Sequence, residues 1–400
     1  RLKDRELAKK EYSPNVILLG LAAVFVAIYF IPWNAPRVTT GILEGFQMLG
    51  EYARQHVLLC LVPAMFIAGA IGVFLNQQAV MKYLGPKAPK PVAYAVASIS
   101  GAILAVCSCT VLPLFKGIYK KGAGLGPAIS FLYSGPAISI IAITMSFQVF
   151  GWKLGLARTV GAISFAVIIG LLMHLIFRKE DEARLADERL FKAPLDEGGR
   201  KLWQTVVYIG SMIGILIFVN WASSKGGSAA WNAIYRAKYF ITGAFALVLL
   251  YALVRWFKKH ELAEWGGATR DFALQILPLL FGGVLVSGFF LGRPGHEALI
   301  PNEWIAGLVG GNSIFANFIA ALSGAFMYFA TLTEVPIVQG LLGSGMGQGP
   351  ALALLLAGPS LSLPSMLVIN AEIGFKKTFV YVSLVVVMST LAGLLFGMIA

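Results

Sequence analysis

The chain has 400 residues, of which 58% are hydrophobic and only 13% are charged, and its mean hydropathy is +0.78. A soluble protein of this length would not tolerate that composition, so the sequence predicts an all-α polytopic membrane protein. The formal net charge of +13 would suggest a nucleic-acid partner in a soluble protein, but here Lys and Arg lie in short loops beside apolar runs. Such charges flank membrane spans, so we expect a lipid bilayer as a partner and no nucleic acid.

Along the chain, about eleven apolar segments have close to the roughly 20 residues that a helix needs to cross the hydrocarbon core. One polar stretch, residues 178–201, interrupts them and is typical of a short amphipathic helix and a linker. It divides the chain into a first transmembrane half, residues 1–177, and a second, residues 202–400, with about 10–11 transmembrane helices in all. The approximate centres of the apolar segments are Val24, Phe66, Leu104, Ile140, Val167, Met212, Val248, Gly283, Leu322, Leu356 and Val387.

The side of the membrane on which the linker lies is predicted from the distribution of positive charge. With eleven spans, Lys and Arg divide equally between the two sides, and neither side is favoured. A further membrane-dipping segment in the first loop would move the N-terminal charges across and leave the excess on the linker side. We therefore favour a cytoplasmic linker.

The two halves contain an internal repeat. Residues 100–139 align without a gap on residues 323–362, at an offset of 223, and fifteen positions are identical. Each copy has two apolar segments, one interrupted by a polar cluster and a proline and the other by Gly-Pro. Because proline removes a backbone donor and glycine weakens a helix, we expect a pair of broken helices in each copy around one central site, with kinked packing helices as the alternative. The predicted spans make the copies parallel, and an error of one span would invert them.

The candidate site combines soft sulfur ligands from one copy with oxygen ligands from the other. On a regular helix, residues two apart point about 200° from each other, so two cysteines in Cys-Ser-Cys could meet one ligand only beside a break. Thiolates select soft, thiophilic centres, although two packing cysteines are the alternative. The candidate substrate-binding residues at the first breaks are Cys107, Ser108, Cys109, Thr110, Pro113, Thr331, Thr333, Glu334 and Pro336. Those at the second breaks are Tyr133, Ser134, Gly135, Pro136, Gly358, Pro359 and Ser360.

Glu334 is also the candidate proton-coupling residue, because a charged side chain inside an apolar segment is expensive and indicates function. Burial disfavours the carboxylate, which would allow this side chain to load and release a proton. The alternative is a permanently protonated side chain, or a carboxylate that caps a half-helix beginning near Pro336.

The sequence lacks the motifs that are typical of several other chemistries. There is no GxxxxGK[ST] phosphate loop and no His-rich or paired CxxC cluster, so we expect no ATP hydrolysis, no cofactor and no structural metal. All three cysteines fall in apolar segments, which does not indicate a disulfide framework. The Cys-Ser-Cys dithiol keeps a membrane thiol-redox enzyme open as an alternative.

The run CSCTVLPLFKGIYKKGAGLGPAISFLYSGPAIS resembles the signature of the ArsP-type predicted permease family. The resemblance implies an efflux permease of a prokaryotic inner membrane whose small-molecule substrate is a trivalent organoarsenical, with Cys107 and Cys109 as candidate As(III) ligands. The second copy has TLTEVP in place of CSCTVLP, which excludes a symmetric four-thiol site. We therefore expect a secondary transporter that exports a small thiophilic solute, and a permease for another small solute, such as a sulfur compound, is the alternative.

Overall fold

The structure is a computed structural model, and it describes most of the chain. The described residues are 18, 22, 25, 29–30, 32–33, 35–54, 61–74, 83–85, 88–104, 108–138, 140–186, 202–219, 221, 229–293, 296–301, 304, 307–327, 334–343 and 345–400. Within these, the side chains at 72, 101–104, 108–110, 140–141, 144–145, 148, 202, 229–231, 291 and 336 are not described.

The described residues form fifteen helices and no β-strand. In the first half these are α1 (Pro36–Tyr52), α2 (Val62–Phe74), α3 (Lys90–Leu104), α4 (Ser108–Lys120), α5 (Leu125–Ala137), α6 (Ile140–Ile176) and α7 (Arg178–Ala186). In the second half they are α8 (Leu202–Val219), α9 (Ala229–Trp256), α10 (Lys259–Leu291), α11 (Ile314–Phe326), α12 (Glu334–Gly343), α13 (Gln348–Ala357), α14 (Leu363–Ile373) and α15 (Phe375–Gly397).

Four of the described helices are long and apolar enough to cross a membrane. They contain Val149–Ile176, Asn232–Trp256, Lys259–Phe290 and Phe375–Gly397, which lie in α6, α9, α10 and α15. Five shorter apolar helices accompany them. The prediction of an all-α polytopic membrane protein is therefore confirmed, and ten of the eleven predicted centres fall in helices, while Val24 lies outside the described residues.

The third predicted span is two helices, α3 and α4, that run in opposite directions. Near the start of α3, the Tyr94 hydroxyl donates to the Gly170 carbonyl close to the end of α6, 3.2 Å away. Near the end of α4, the Tyr119 carbonyl accepts from Arg184 of α7, which directly follows α6. The start of α3 and the end of α4 thus lie at the same end of the bundle, so the two helices are antiparallel. Fifteen residues rise only about 22 Å, which is short of the hydrocarbon core of about 30 Å.

The breaks lie close to, but not always at, the prolines. The predicted break at Pro113 is wrong, because α4 continues through this residue, and a buried membrane helix tolerates one missing donor where neighbouring helices pack around it. Pro336 is the third residue of α12, where the missing donor costs little. Gly358 and Pro359 separate α13 from α14, as predicted. The corresponding Gly135-Pro136 pair instead ends α5, and the helical geometry is lost just after it.

Five helical segments recur at the offset of 223 residues. The boundaries of α3, α4, α5 and the two parts of α6 match those of α11, α12, α13, α14 and α15 to within three residues. The turn after α4 has Gly122 at φ 97°, and the turn after α12 has Gly345 at φ 100°. The kink inside α6 has Gly151 at φ 81°, and the kink between α14 and α15 has Gly374 at φ 84°. That the two copies superpose around one site stays a prediction.

Segments paired by this offset run in opposite directions. Lys376 near the start of α15 donates to a Glu180 carboxylate oxygen of α7, 3.1 Å away, and lies 5.6 Å from the centre of the Phe177 ring. The start of α15 is therefore beside the end of α6, although the two occupy the same place in the two copies. For α6 and α15 this is the inverted arrangement of the two that the sequence left open, and the division of one predicted span into α3 and α4 supplies the additional helix that it requires. The internal repeat itself stays a prediction.

We call the end of the bundle at which α6 gives way to α7 the linker end. There, α7 covers the tip of the α4–α5 hairpin. Asp181 accepts from the Leu125 amide at 2.7 Å, and Arg184 donates to the Ala123 carbonyl at 2.6 Å. The rest of the predicted linker, residues 187–201, lies outside the described residues.

The helix α1 occupies the loop between the first two predicted spans, where a further membrane-dipping segment was one of the two alternatives. It packs closely on the last turns of α10, because Gly41 and Gly45 have no room for a side chain beside the carbonyls of Phe289 and Leu285. Its Glu44 forms an ion pair at 2.9 Å with Arg293, just beyond the end of α10.

Candidate functional site

A fully buried ion pair joins the two halves of the chain. Arg158 lies in the second part of α6 and Glu334 at the start of α12, and each side chain is 1% exposed. One terminal nitrogen of Arg158, Nη2, donates to Oε1 of Glu334. The other, Nη1, donates to the Ser146 hydroxyl in the first part of α6, at 2.6 Å. The three side chains therefore connect both parts of the kinked helix α6 to the opposite half.

The hydrogen bonding of this pair is incomplete. Arg158 Nε and Glu334 Oε2 are buried and have no hydrogen-bond partner among the described residues. A guanidinium stays charged under all ordinary conditions, so a buried Arg158 requires a negative partner. The pair thus holds two charges at an interface between halves and keeps one donor and one acceptor uncommitted in that part of the chain.

The second breaks of the two copies meet beside this pair. The Tyr133 hydroxyl of α5 donates to the Leu356 carbonyl of α13 at 2.9 Å, and these two residues are themselves 223 apart in sequence. The Ser360 hydroxyl donates back to the Tyr133 carbonyl at 3.5 Å. Gly161, one turn beyond Arg158, packs against Leu356. The ends of α5 and α13 and the ion pair therefore form one buried centre.

The structure brings together Glu334, Tyr133 and Ser360 among the predicted site residues. Ser134 donates to the Phe131 carbonyl within its own helix, at 3.2 Å, so its hydroxyl is used locally. Gly135 and Pro136 are buried in the last turn of α5. The predictions for Cys107, Thr331 and Thr333 lie outside the described residues. Ser108, Cys109 and Thr110 form the first turn of α4, and their side chains, like that of Pro336, are not described.

A second buried charge cluster lies nearer the linker end. Lys116 of α4 is 2% exposed and forms an ion pair with Glu372 at the end of α14, whose side chain is 11% exposed. The same ammonium group donates to Gln275 of α10 and lies 5.7 Å from the centre of the Phe272 ring. Like the pair at the centre, this cluster joins the two halves.

Sequence reasoning missed Arg158, Lys116 and Glu372. Lys and Arg were expected in short loops beside the apolar runs, whereas Lys116 lies inside α4. The rule that selected Glu334, a charged residue within an apolar run, also applies to Arg158 and would have found it. Among the described residues, no group of three or more His, Cys, Asp or Glu side chains is arranged to hold a metal ion.

Comparisons with known proteins agree with this membrane architecture. Residues 42–398 match the model of a family described as predicted permease, ArsP type. The UPF0718 protein MJ0584 of Methanocaldococcus jannaschii is 41% identical over 87% of this chain and 94% of its own length. The UPF0718 protein YraQ of Escherichia coli is 22% identical over 72% of this chain and 63% of its own length. A putative two-component membrane permease complex subunit of Streptococcus mutans is 27% identical over 36% of this chain and 46% of its own length.

No solved structure matches the chain. The family match spans all of the described helices from α2 to α15 and most of α1, including both copies of the repeat. The chain is thus a multi-pass integral membrane protein that belongs to the ArsP-type predicted permease family.

Proposed function

We propose that the protein is a secondary permease that exports a small thiophilic solute, a trivalent organoarsenical in the first instance, from a prokaryotic cell. The observation that carries this proposal is the Arg158–Glu334 pair between two halves whose paired segments run in opposite directions. Ionisable residues buried inside membrane bundles mark substrate and ion pathways, and broken helices of inverted halves form the binding sites of many secondary transporters.

The thiols supply the affinity for a soft centre in this proposal. Cys107 lies outside the described residues, between the end of α3 and the start of α4 in sequence, and Cys109 lies in the first turn of α4. In this proposal the backbone around Cys107 is not a regular helix, so the two thiols are not held in opposite directions. A trivalent arsenic centre is thiophilic, and two thiolates from one segment would bind it without help from the second copy, which has no cysteine.

Replacement of both thiols, Cys107→Ser with Cys109→Ser, should abolish resistance to methylarsenite in a deletion strain, because serine does not bind a soft centre. Membrane insertion and the amount of protein should not change. Cys60→Ser is the matched control, since it removes a thiol elsewhere in the chain. Full resistance in the double variant would limit Cys107 and Cys109 to packing. Parallel profiles with arsenite, antimonite and tellurite would identify the preferred solute.

Glu334 carries the coupled proton in this proposal. When the carboxyl group is protonated, its attraction to Arg158 is lost, and the contact between the halves weakens. Glu334→Gln keeps the shape and does not titrate, so it should fail to drive solute uphill in response to an imposed pH gradient in sealed vesicles. Downhill exchange should persist. Uphill movement at the wild-type rate would place the coupling group elsewhere.

The same vesicles distinguish a permease from a membrane thiol-redox enzyme, the alternative that the Cys-Ser-Cys dithiol favours. A permease moves the solute when the purified protein is the sole addition. An enzyme of this kind would change the chemical state of the solute, and its turnover would depend on an added redox partner.

A further inference from the structure

We propose that a cavity beside α1 binds the headgroup of a phospholipid that carries a primary ammonium, such as phosphatidylethanolamine. This cavity, which we call the α1 cavity, has a volume of about 540 Å³. It is lined by Phe46, Gln47, Gly50, Glu51, Arg54 and Arg293, all of which lie outside the central site. The inference goes beyond the proposed permease function and does not depend on it.

The α1 cavity lies at the end of the bundle opposite the linker end. Lys120, the last residue of α4, is at the linker end, and its ammonium nitrogen lies 5.8 Å from the centre of the Phe272 ring of α10. From Phe272, α10 continues to Leu291, a rise of about 28 Å. That rise is close to the thickness of the hydrocarbon core. Arg293 follows directly and therefore lies at the level of the lipid headgroups on the opposite surface of the membrane.

Arg293 is a cation held in a fixed position on the wall of the α1 cavity. Its Nε donates to Oε2 of Glu44 at 2.9 Å, and its Nη2 donates to Oε1 of the same carboxylate at 3.1 Å. Nη2 also donates to Gln47. The Glu44 side chain is 7% exposed, whereas that of Arg293 is 20% exposed. Glu44 thus orients the guanidinium from behind, and the accessible part of Arg293 belongs to the cavity wall.

The charges of this wall favour a ligand that carries an anion beside a cation. Glu44 neutralises Arg293, and the other charged residues of the wall are Arg54, which is exposed, and Glu51, which is 45% exposed. Arginine matches the oxygens of a phosphate with its planar fork of donors. A carboxylate accepts hydrogen bonds from an ammonium group. A phosphate next to a primary ammonium therefore matches both signs and adds no net charge.

The surface beside the α1 cavity favours a lipid over a soluble solute. Leu43 and Phe46 lie three residues apart on α1 and are 56% and 62% exposed, and Phe46 is itself part of the cavity wall. A methyl group added at Gly50 would meet none of the described atoms within 4 Å, so the cavity stays open above this residue. An acyl chain can cover Leu43 and Phe46 while the headgroup occupies the cavity.

The type of headgroup follows from its hydrogen-bond donors. The ammonium of phosphatidylethanolamine has three N–H donors for Glu51, whereas the quaternary ammonium of phosphatidylcholine has none. Phosphatidylglycerol has the phosphate and no cation. We therefore expect the α1 cavity to prefer phosphatidylethanolamine to both of the others.

Native mass spectrometry of the full chain, released from detergent micelles, tests this inference with the three lipids carrying identical acyl chains. We expect wild type to bind phosphatidylethanolamine at least about tenfold more tightly than phosphatidylcholine. Arg54→Gln should weaken phosphatidylethanolamine binding at least about tenfold, because it removes a partner of the phosphate. Glu51→Gln should lose most of the preference over phosphatidylcholine. Both residues are exposed, so these variants should fold as wild type does.

Arg270→Gln is the matched control, because Arg270 is an exposed arginine of α10 near the linker end, and this variant should bind the lipids as wild type does. Equal affinity of wild type for the three lipids, or unchanged phosphatidylethanolamine binding in Arg54→Gln, would overturn the inference. Glycerophosphoethanolamine has the headgroup without acyl chains, and an affinity equal to that of the lipid would assign the cavity to a soluble solute instead. A lipid-free dimer that depends on Arg54 would assign it to a second copy of the chain. Failure of the methylarsenite resistance test would refute the thiophilic solute and leave the lipid result unaffected.

Discussion

Arg158 and Glu334 can both be buried because their opposite charges pair, whereas burial of either charge alone would destabilise the fold. Their charges cancel within a buried contact, while either charge alone would be buried without a counter-charge. The two residues differ in one respect: a carboxylate can take up a proton and become neutral, whereas a guanidinium cannot. Removing Glu334 and removing Arg158 should therefore change the free energy of unfolding by different amounts.

A double-mutant cycle should reveal this asymmetry in the free energy of unfolding. Glu334→Gln should destabilise by about 3–5 kcal/mol, because it leaves an uncompensated buried arginine. Arg158→Gln should cost less, since Glu334 can protonate, and the double variant should be closer to wild type than Glu334→Gln is. Unfolding in detergent micelles without added anion measures all four proteins. Equal costs for the two single variants, or additive costs in the double variant, would contradict a neutralising pair.

At the scale of elements, α7 connects the first half to the second without entering the apolar core. Its Glu180 accepts from Lys376 of α15 at 3.1 Å, and this hydrogen bond lowers the pKa of the Glu180 carboxyl group below its ordinary value. Lys377 lies 3.5 Å from the other oxygen of the same carboxylate. The contact is solvent-exposed, so its effect on stability is small and sensitive to salt.

The contribution of Glu180 should depend on pH with a defined sign. Because its pKa is lower in the folded protein than in the unfolded chain, the stabilisation is fully present above the unfolded pKa and is lost as the pH falls through the folded one. The thermal midpoint of Glu180→Gln should therefore lie below that of wild type at pH 7, and the difference should vanish in acid. Glu182→Gln is the comparison, because among the described residues Glu182 forms an ion pair with Arg178 of its own helix and none with α15. The pKa of Glu182 is also lowered, by Arg178 first of all, so its pH dependence should have the same sign and show the effect of a pair within α7 alone. A difference for Glu180→Gln that persists or grows in acid would disprove this assignment.

Composition and apolar length predicted the all-helical membrane class because bilayer thickness fixes the length of a span. The sequence offset of 223 located the elements that recur, but it did not predict their direction, because α3 and α4 together look like one apolar segment. The predicted break at Pro113 was wrong for a related reason. The residues that pack around this proline in α4 are distant in sequence, so the local sequence did not reveal them. Glu334 was found by its isolated charge, whereas its pairing with Arg158 depends on tertiary structure.

At the scale of the whole molecule, the corresponding helices α4 and α12 differ in how many of their residues are exposed. In α4, residues 111–119 are all buried, and Lys116 is tied to Glu372 near the linker end. In α12, which runs the opposite way, Gln339 and Gly343 are exposed. At the offset of 223, Gln339 is the counterpart of Lys116, and the counterpart of Glu372 is the uncharged Val149. The Lys116–Glu372 ion pair therefore links two helices near the linker end. The corresponding part of α12 has exposed residues instead.

If the permease opens each end in turn, as we propose, we expect the Lys116–Glu372 contact to separate once in every transport cycle. A bridge that prevents this separation should stop transport without altering the central site. Histidines at both positions, Lys116→His with Glu372→His, would provide such a bridge when they bind Ni²⁺ together. This chemistry also leaves Cys107 and Cys109 available to the solute.

The most direct measurement of the central claim is methylarsenite accumulation by everted membrane vesicles that contain the Lys116→His, Glu372→His variant. We predict that Ni²⁺ stops accumulation in this variant, that EDTA restores it, and that neither addition affects wild type or the single-histidine variants. A rise in the thermal midpoint of the variant with Ni²⁺ shows that the bridge has formed. Undiminished accumulation with the bridge in place would contradict a transport cycle in which the two halves separate at the linker end.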